Sequence, residues 1–386
     1  MCPSPILFDS HSFERIDWPR TPDGDYAKRF LLPLSRRPID AFVPNIKADL
    51  YALRLNDTVL PVTVNDTEYD NSYVCSPYTH YASYARQELY LLRSGAARFW
   101  LRGATHALAL LLKASRFNRA VHVNNWLLST NLYPELGADE TEEAFRLLLA
   151  RFPQHTIVFR SLCRTINGDL MDRLQRRGFR LVPSRQVYLW RGSGPLAPNA
   201  KARWLLKRDY ALLDKHGYEP VGPESLKPED MPRLAELYRA LYLDKYSYYN
   251  PQFGDAFFEL VRSGKLLELH ALRHKESGRL DAVLGCYDRG GVMTTPVFGY
   301  DTSLPQQTGL YRMLSAVLLD IAAAKGLLLH ESSGAAQFKR NRGAVAEIEY
   351  SAVYDRHLPV DRRMGWFVLE RLLNGVGVPL MEKYKL

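Results

Sequence analysis

In the second half of the chain, apolar positions keep two different periods. Leu310, Met313, Leu314, Val317, Leu318 and Ile321 recur at three- and four-residue spacing, which predicts a helix with one apolar face ended by Gly326. Short runs rich in β-branched and aromatic residues predict strands at 218–221, 267–273, 280–287, 292–300, 327–330 and 347–354. Glu276-Ser277-Gly278 and Arg289-Gly290-Gly291 read as turns between them. Residues 225–242 predict a helix with Leu234, Leu237, Tyr238 and Leu241 on one face, 255–263 a second, and 332–341 a short one. The predicted order is β-α-α-β-β-β-α-β-α-β.

The first half closes on the same scheme, with a strand at 121–126, a helix at 142–151, a strand at 156–160, a helix at 169–177 and a strand-like run at 180–189. Asn167, Leu170, Leu174 and Gly178 stand at one constant offset from Ser332, Ala335, Lys339 and Gly343. Each set closes on a glycine at the same spacing from a polar residue and a small or apolar one, so the chain reads as an internal repeat. Between the halves, Gly192-Ser193-Gly194-Pro195-Leu196-Ala197-Pro198-Asn199 carries too much glycine and proline for regular structure. At 386 residues two cores are affordable, and the expected domains are 1–191 and 200–386.

The element order and this repeat resemble the GNAT acyltransferase superfamily. The resemblance implies an α/β fold of mixed sheets flanked by helices, in two tandem GNAT-like domains. Gln306-Gln307-Thr308-Gly309-Leu310-Tyr311 is similar to the GNAT loop that holds the pyrophosphate of coenzyme A at a helix N-terminus. The resemblance gives Gln306, Gln307, Thr308, Gly309 and Arg312 to the donor. It gives the donor carbonyl to the fourth strand, at Val297. Tyr311 departs from the pattern, where glycine or alanine would let phosphate approach the backbone, so the acyl group is not narrowed to acetyl. The corresponding first-half segment, Gly137-Ala138-Asp139-Glu140-Thr141-Glu142-Glu143, complements a helix dipole and would repel phosphate. The chemistry is therefore expected in the second half.

Phe338-Lys339-Arg340-Asn341-Arg342-Gly343 resembles the Phe-Lys-x-x-x-Gly segment of the branch that includes the peptidoglycan aminoacyltransferases. That resemblance puts Lys339 against substrate. The small residues Ser332 and Ser333 just upstream suit close ligand approach. Acyl transfer to an amine needs oxyanion stabilisation and a proton carrier. Lys339, Glu331 and Tyr350 are the candidates. Tyr246, Tyr248 and Tyr249 form an aromatic loop suited to an acceptor, and Tyr69, Tyr73, Tyr78, Tyr81 and Tyr84 form a second cluster, from which Tyr78 is taken as a substrate contact. Asn124, Asn125, Trp126 and Asn131 are expected at an interdomain cleft.

Composition adds limits. Hydrophobic residues make up 46% and charged residues 24% of the chain, as in ordinary globular proteins. The net charge of +9 favours anionic partners. Cys2, Cys75, Cys163 and Cys286 are scattered, which fits a reducing compartment, and no metal site is expected from them or from the dispersed His80, His122, His330 and His357. With no signal-like start and no apolar run long enough to span a bilayer, the chain is read as cytoplasmic. The expected function is a GNAT-type N-acyltransferase with no permanently bound cofactor. It would take acyl-CoA or an acyl carrier protein thioester as co-substrate and a small-molecule amine as acceptor. Two alternatives stand beside it: transfer from aminoacyl-tRNA, and a non-catalytic ligand-binding GNAT-like protein.

Overall fold

The computed structural model describes residues 5–83, 95–194 and 197–384. In chain order the strands are β1 (Ile6–Asp9), β2 (Asp49–Leu55), β3 (Thr58–Asn65), β4 (Ala120–Val123), β5 (Thr156–Leu162), β6 (Arg180–Trp190), β7 (Tyr218–Val221), β8 (Glu268–His274), β9 (Leu280–Arg289), β10 (Val292–Tyr300), β11 (Leu328–His330) and β12 (Val345–Tyr354). The fold is mixed α/β. The chain forms two compact units, each discontinuous in sequence. One holds Met1–Ser184, Tyr249–Gln252 and Glu349–Leu380, and the other Arg185–Tyr248, Phe253–Ile348 and Met381–Leu386.

In the first unit, β1 to β4 pair antiparallel in sequence order, β4 pairs parallel with β5, and β5 pairs antiparallel with β12. In the second unit, β7 to β10 pair antiparallel in order, β10 pairs parallel with β11, and β11 pairs antiparallel with β6. The two pairing schemes are the same, strand for strand. Each unit takes its sixth strand from the other half of the sequence. A division into 1–191 and 200–386 would follow sequence order, whereas the compact units exchange segments.

Local chemistry explains where elements differ from expectation. The run at 121–126 stops pairing after Val123, because Asn124 (φ 57°) and Leu127 (φ 61°) enter the left-handed region. Asn124, Asn125 and Asn131 do not offer a ligand surface. They are buried and hydrogen-bonded to the turn around Trp126, whose indole N–H donates to Asn124 Oδ1 at 2.7 Å. The helix expected at 225–242 is regular only over Met231–Arg239, since Pro228 and Pro232 restrict its start. It runs on as a π-turn over Ala240–Tyr246. The short helix expected from 332 begins at Ala336, after Ser332 (φ 58°), Gly334 (φ 79°) and Ala335 (φ 48°).

The sequence reading made no prediction for the helix Ala200–Lys215. Asn199, the last residue of the glycine- and proline-rich segment, caps it by accepting from Ala202 N–H at 2.9 Å. Pro195 and Leu196 of that segment, and Tyr84 of the tyrosine cluster, lie outside the described residues. The remaining tyrosines of that cluster pack into the first unit: Tyr69 and Tyr78 meet edge to face at 4.9 Å, and Tyr73, Tyr78 and Tyr81 are buried. The acidic segment at Gly137 behaves as expected, opening the helix Ala138–Arg151 with Glu140 accepting from Gly137 N–H at 2.9 Å. The second unit's core gathers Leu310, Met313, Leu314, Val317 and Leu318 from the predicted stripe onto Leu272, Leu284, Met293 and Phe298 of the sheet.

Candidate active site

The end of β11 opens into an irregular loop, and the residues that hold it are specific. Glu331 N–H donates to Tyr188 O at 2.8 Å, and Tyr188 N–H donates to Ser332 O at 3.2 Å, so β6 carries the loop's first residues. Ser332 N–H donates to His330 Nδ1 at 3.2 Å. Ser332 and Ala335 sit in the left-handed region without being glycine, a strain of about 1–3 kcal/mol each that needs outside restraint. Lys339 supplies it. Its ammonium donates to the carbonyls of Glu331 (2.6 Å), Ser332 (3.3 Å) and Ser333 (2.9 Å) and stands 5.5 Å from the centre of the Tyr188 ring. These three bonds use all three ammonium donors.

Lys339 is only 6% exposed. In the first unit the matching position, Leu174, is a core leucine at 1% exposure, and the matching glycines share one conformation, φ 99° at Gly178 and 96° at Gly343. The fold can therefore fill this inward position with a hydrocarbon. Burial holds the Lys339 ammonium below the usual lysine range, with the Glu331 charge opposing and Arg185 adding to the shift. Glu331 is its counterpart. Its Oε1 is shut off from solvent and accepts no hydrogen bond among the described residues. Burial raises this carboxyl well above the carboxylate range, against the pull of Lys339 and Arg342. A carboxylate and an ammonium both displaced toward neutrality are suited to proton transfer.

Val297 is fully buried and follows an irregularity in β10, where the register against β9 shifts between Thr294 and Val297. Thr294 Oγ1 donates to His330 O at 3.2 Å, tying this part of β10 to the start of the Glu331 loop.

The segment that the resemblance gives to the donor is a turn leading into a helix. Gln306–Thr308 forms one 3-10 turn, and Gly309 at φ 78° leads into the helix Leu310–Ala324. Gln306 and Gln307 are exposed and Thr308 is half-buried. Its surroundings are less open than the resemblance implies. A Cβ on Gly309 would come 2.9 Å from Leu212 Cδ1. Arg312 donates to Asp209 Oδ1 at 2.7 Å through Nε, and Arg342 donates to Oδ2 at 2.5 Å. Asp209 is fully buried. Tyr311 packs among Phe338 (4.8 Å), Phe298 (5.5 Å) and Tyr300 (6.2 Å), and burial pushes its phenol up.

Of the aromatic loop, Tyr246 and Tyr248 are more than half exposed. Tyr246 continues the ring series Tyr238–Tyr242 (4.9 Å) and Tyr242–Tyr246 (6.0 Å), and Lys245 Nζ lies 5.8 Å from the centre of the Tyr300 ring. Tyr249 falls in the first unit, where its carbonyl accepts from Tyr73 N–H at 3.1 Å. Tyr350 and Tyr78 also belong to the first unit; Tyr350 packs against the core and Tyr78 against Tyr69. The second unit thus brings together Lys339, Glu331, Ser332 and Ser333. Sequence reasoning missed Asp209, Tyr188 and Arg342. Asp209 had a signal: it takes the third place in the stripe Ala202, Leu206, Asp209, Leu213, where an apolar residue is expected.

No protein-family model matches the chain, and no curated protein matches it. Solved structures do. L-PGS from Bacillus licheniformis aligns at 15% identity and a TM-score of 0.42, covering 60% of this chain and 79% of its own. FemX aligns at 9% identity and a TM-score of 0.45, covering 59% and 78%. A GCN5-related N-acetyltransferase from Kribbella flavida aligns at 14% identity and a TM-score of 0.33, covering 63% and 84%. No helix among the described residues is long and apolar enough to cross a membrane.

Proposed function

We propose that the second unit catalyses acyl transfer from an activated carbonyl, a CoA or carrier-protein thioester, to the amine of a small molecule. One observation carries this: a buried ammonium stands where the first unit is content with leucine, beside a carboxyl whose Oε1 has no hydrogen-bond partner among the described residues. Glu331 takes the proton of the attacking amine, the new C–N bond forms, the C–S bond breaks, and the proton passes from Glu331 to the thiolate. Lys339 acts through position. With its three donors spent on loop carbonyls, it fixes Ser332 and Ser333 and keeps a positive charge beside the site. On the resemblance, Val297 N–H meets the donor carbonyl, while Gln306, Gln307 and Gly309 meet the donor's phosphates. Tyr246 and Tyr248 offer the acceptor an exposed aromatic face.

Aminoacyl-tRNA as donor is the second reading. It is favoured by Leu212 against Gly309 and by Arg312 being held by Asp209, which leave the loop little room for a pyrophosphate. The test is turnover with a panel of acyl-CoAs, acyl carriers and charged tRNA against small amines, using wild type and Glu331→Gln. Wild type should turn over with one donor class, and the variant should lose on the order of 100-fold or more in kcat. Background rates with every donor would leave the ligand-binding reading in its place.

A further inference from the structure

We propose that one face of the helix Val360–Leu372 in the first unit docks on a membrane surface rich in anionic phospholipid. Val360, Met364 and Phe367 are 68%, 38% and 41% exposed, and with Arg371 they recur at helical spacing along one stripe. Soluble proteins seldom leave three large apolar side chains aligned and open to water. The other side of this helix is satisfied: Trp366 and Leu369 are buried in the core with Phe117 and Leu112. The stripe is thus surplus to folding.

Arginine surrounds it. Arg371 stands 5.4 Å from the centre of the Phe367 ring. Phe367 also lines a cavity of about 620 Å³ together with Phe179, Arg356 and Arg363. Neither Arg356 nor Arg363 has a carboxylate within ion-pair distance among the described residues, and Arg363 Nε is shut off from solvent and donates to nothing. The acid in the cavity wall, Glu370, is already taken by Arg180 at 2.8 Å. Arg356 is held in place by the chain: its guanidinium lies against Gly178, where a Cβ would come 2.7 Å from Cζ. Asp355 and Glu370 share the single charge of Arg180, so with Arg356 and Arg363 the surroundings of the cavity keep one net positive charge, and this excess beside an exposed apolar stripe matches a phosphodiester headgroup beside acyl chains. A dissolved anion would use the arginines and leave Val360, Met364 and Phe367 unexplained. The net charge of +9 acts in the same direction.

The test is co-sedimentation of the full chain with vesicles of phosphatidylcholine alone and of phosphatidylcholine mixed equally with phosphatidylserine. Binding is expected to the mixed vesicles only and should fall as salt rises. Arg356→Gln with Arg363→Gln should weaken it about twenty-five-fold, at roughly fivefold per arginine. Met364→Glu with Phe367→Glu should abolish it. Arg356, Met364 and Phe367 are exposed and Arg363 is half-buried, so circular dichroism melts of both double variants are to match wild type before binding is compared. Equal binding to both vesicles, no binding to either, or stabilisation by glycerol phosphate without vesicle binding would overturn the proposal. So would self-association through this stripe that Met364→Glu with Phe367→Glu removes and lipid leaves unchanged.

Discussion

Lys339→Leu places in the second unit the residue that the first unit already has at Leu174. The change removes three hydrogen bonds to loop carbonyls. Ser333 is exposed, so its carbonyl returns to water, and Ser332 O keeps the Tyr188 N–H. The carbonyl of Glu331 loses its short bond, at a cost of about 1–3 kcal/mol. Against this, a leucine buried at the same position contributes about 1.5–3 kcal/mol, and the desolvation penalty of an ammonium, several kcal/mol, disappears. The sum is near zero or favourable, so the melting temperature should hold or rise. Turnover should fall by about 100-fold or more, because the loop at Ser332 and Ser333 loses its clamp and the site its charge. Thermal melts and steady-state kinetics on one preparation check both halves. A variant that unfolds would make Lys339 a folding device, and one that keeps wild-type turnover would remove it from the site.

Asp209→Asn breaks a fully buried carboxylate bridge between Arg312 and Arg342 and should cost about 3–5 kcal/mol, read from denaturant unfolding; a loss under 1 kcal/mol would mean the bridge is idle. The Glu331 carboxyl is raised in the folded chain, so the folded state binds the proton more tightly than the unfolded one. Stability relative to Glu331→Gln should therefore fall as pH climbs from the ordinary carboxylate range to neutrality, then level off. Melting curves of the two proteins from about pH 5 to about pH 8 check this, and parallel curves would refute it. Turnover should rise through the same window as Glu331 gives up its proton, with an inflection that Glu331→Gln lacks.

What could be read from sequence divides along a physical line. The strands from β7 to β11 and the long helix are set by local periodicity, and the Leu310–Ile321 stripe meets the core as its spacing predicts. The repeat register was also legible, since a left-handed glycine after a helix leaves a residue-level mark at Gly178 and Gly343. Pairings between distant segments leave no such mark. Nothing near β6 states that it pairs with β11, nor near β12 that it pairs with β5. Tyr350 illustrates the consequence: four residues before Tyr354 and close in sequence to Lys339, it nonetheless belongs to the first unit. The same limit hid Asp209. Its place in an apolar stripe was visible, but its meaning depends on Arg312 and Arg342, more than a hundred positions away. Lys339 is the intermediate case. Its inward direction followed from the family resemblance, while its partners are backbone carbonyls of a strained loop, and backbone carbonyls are present at every residue and so cannot be singled out by residue type. Comparing the two halves position by position recovers part of this, because wherever one unit keeps leucine and the other buries a charge, the difference is not required by the fold.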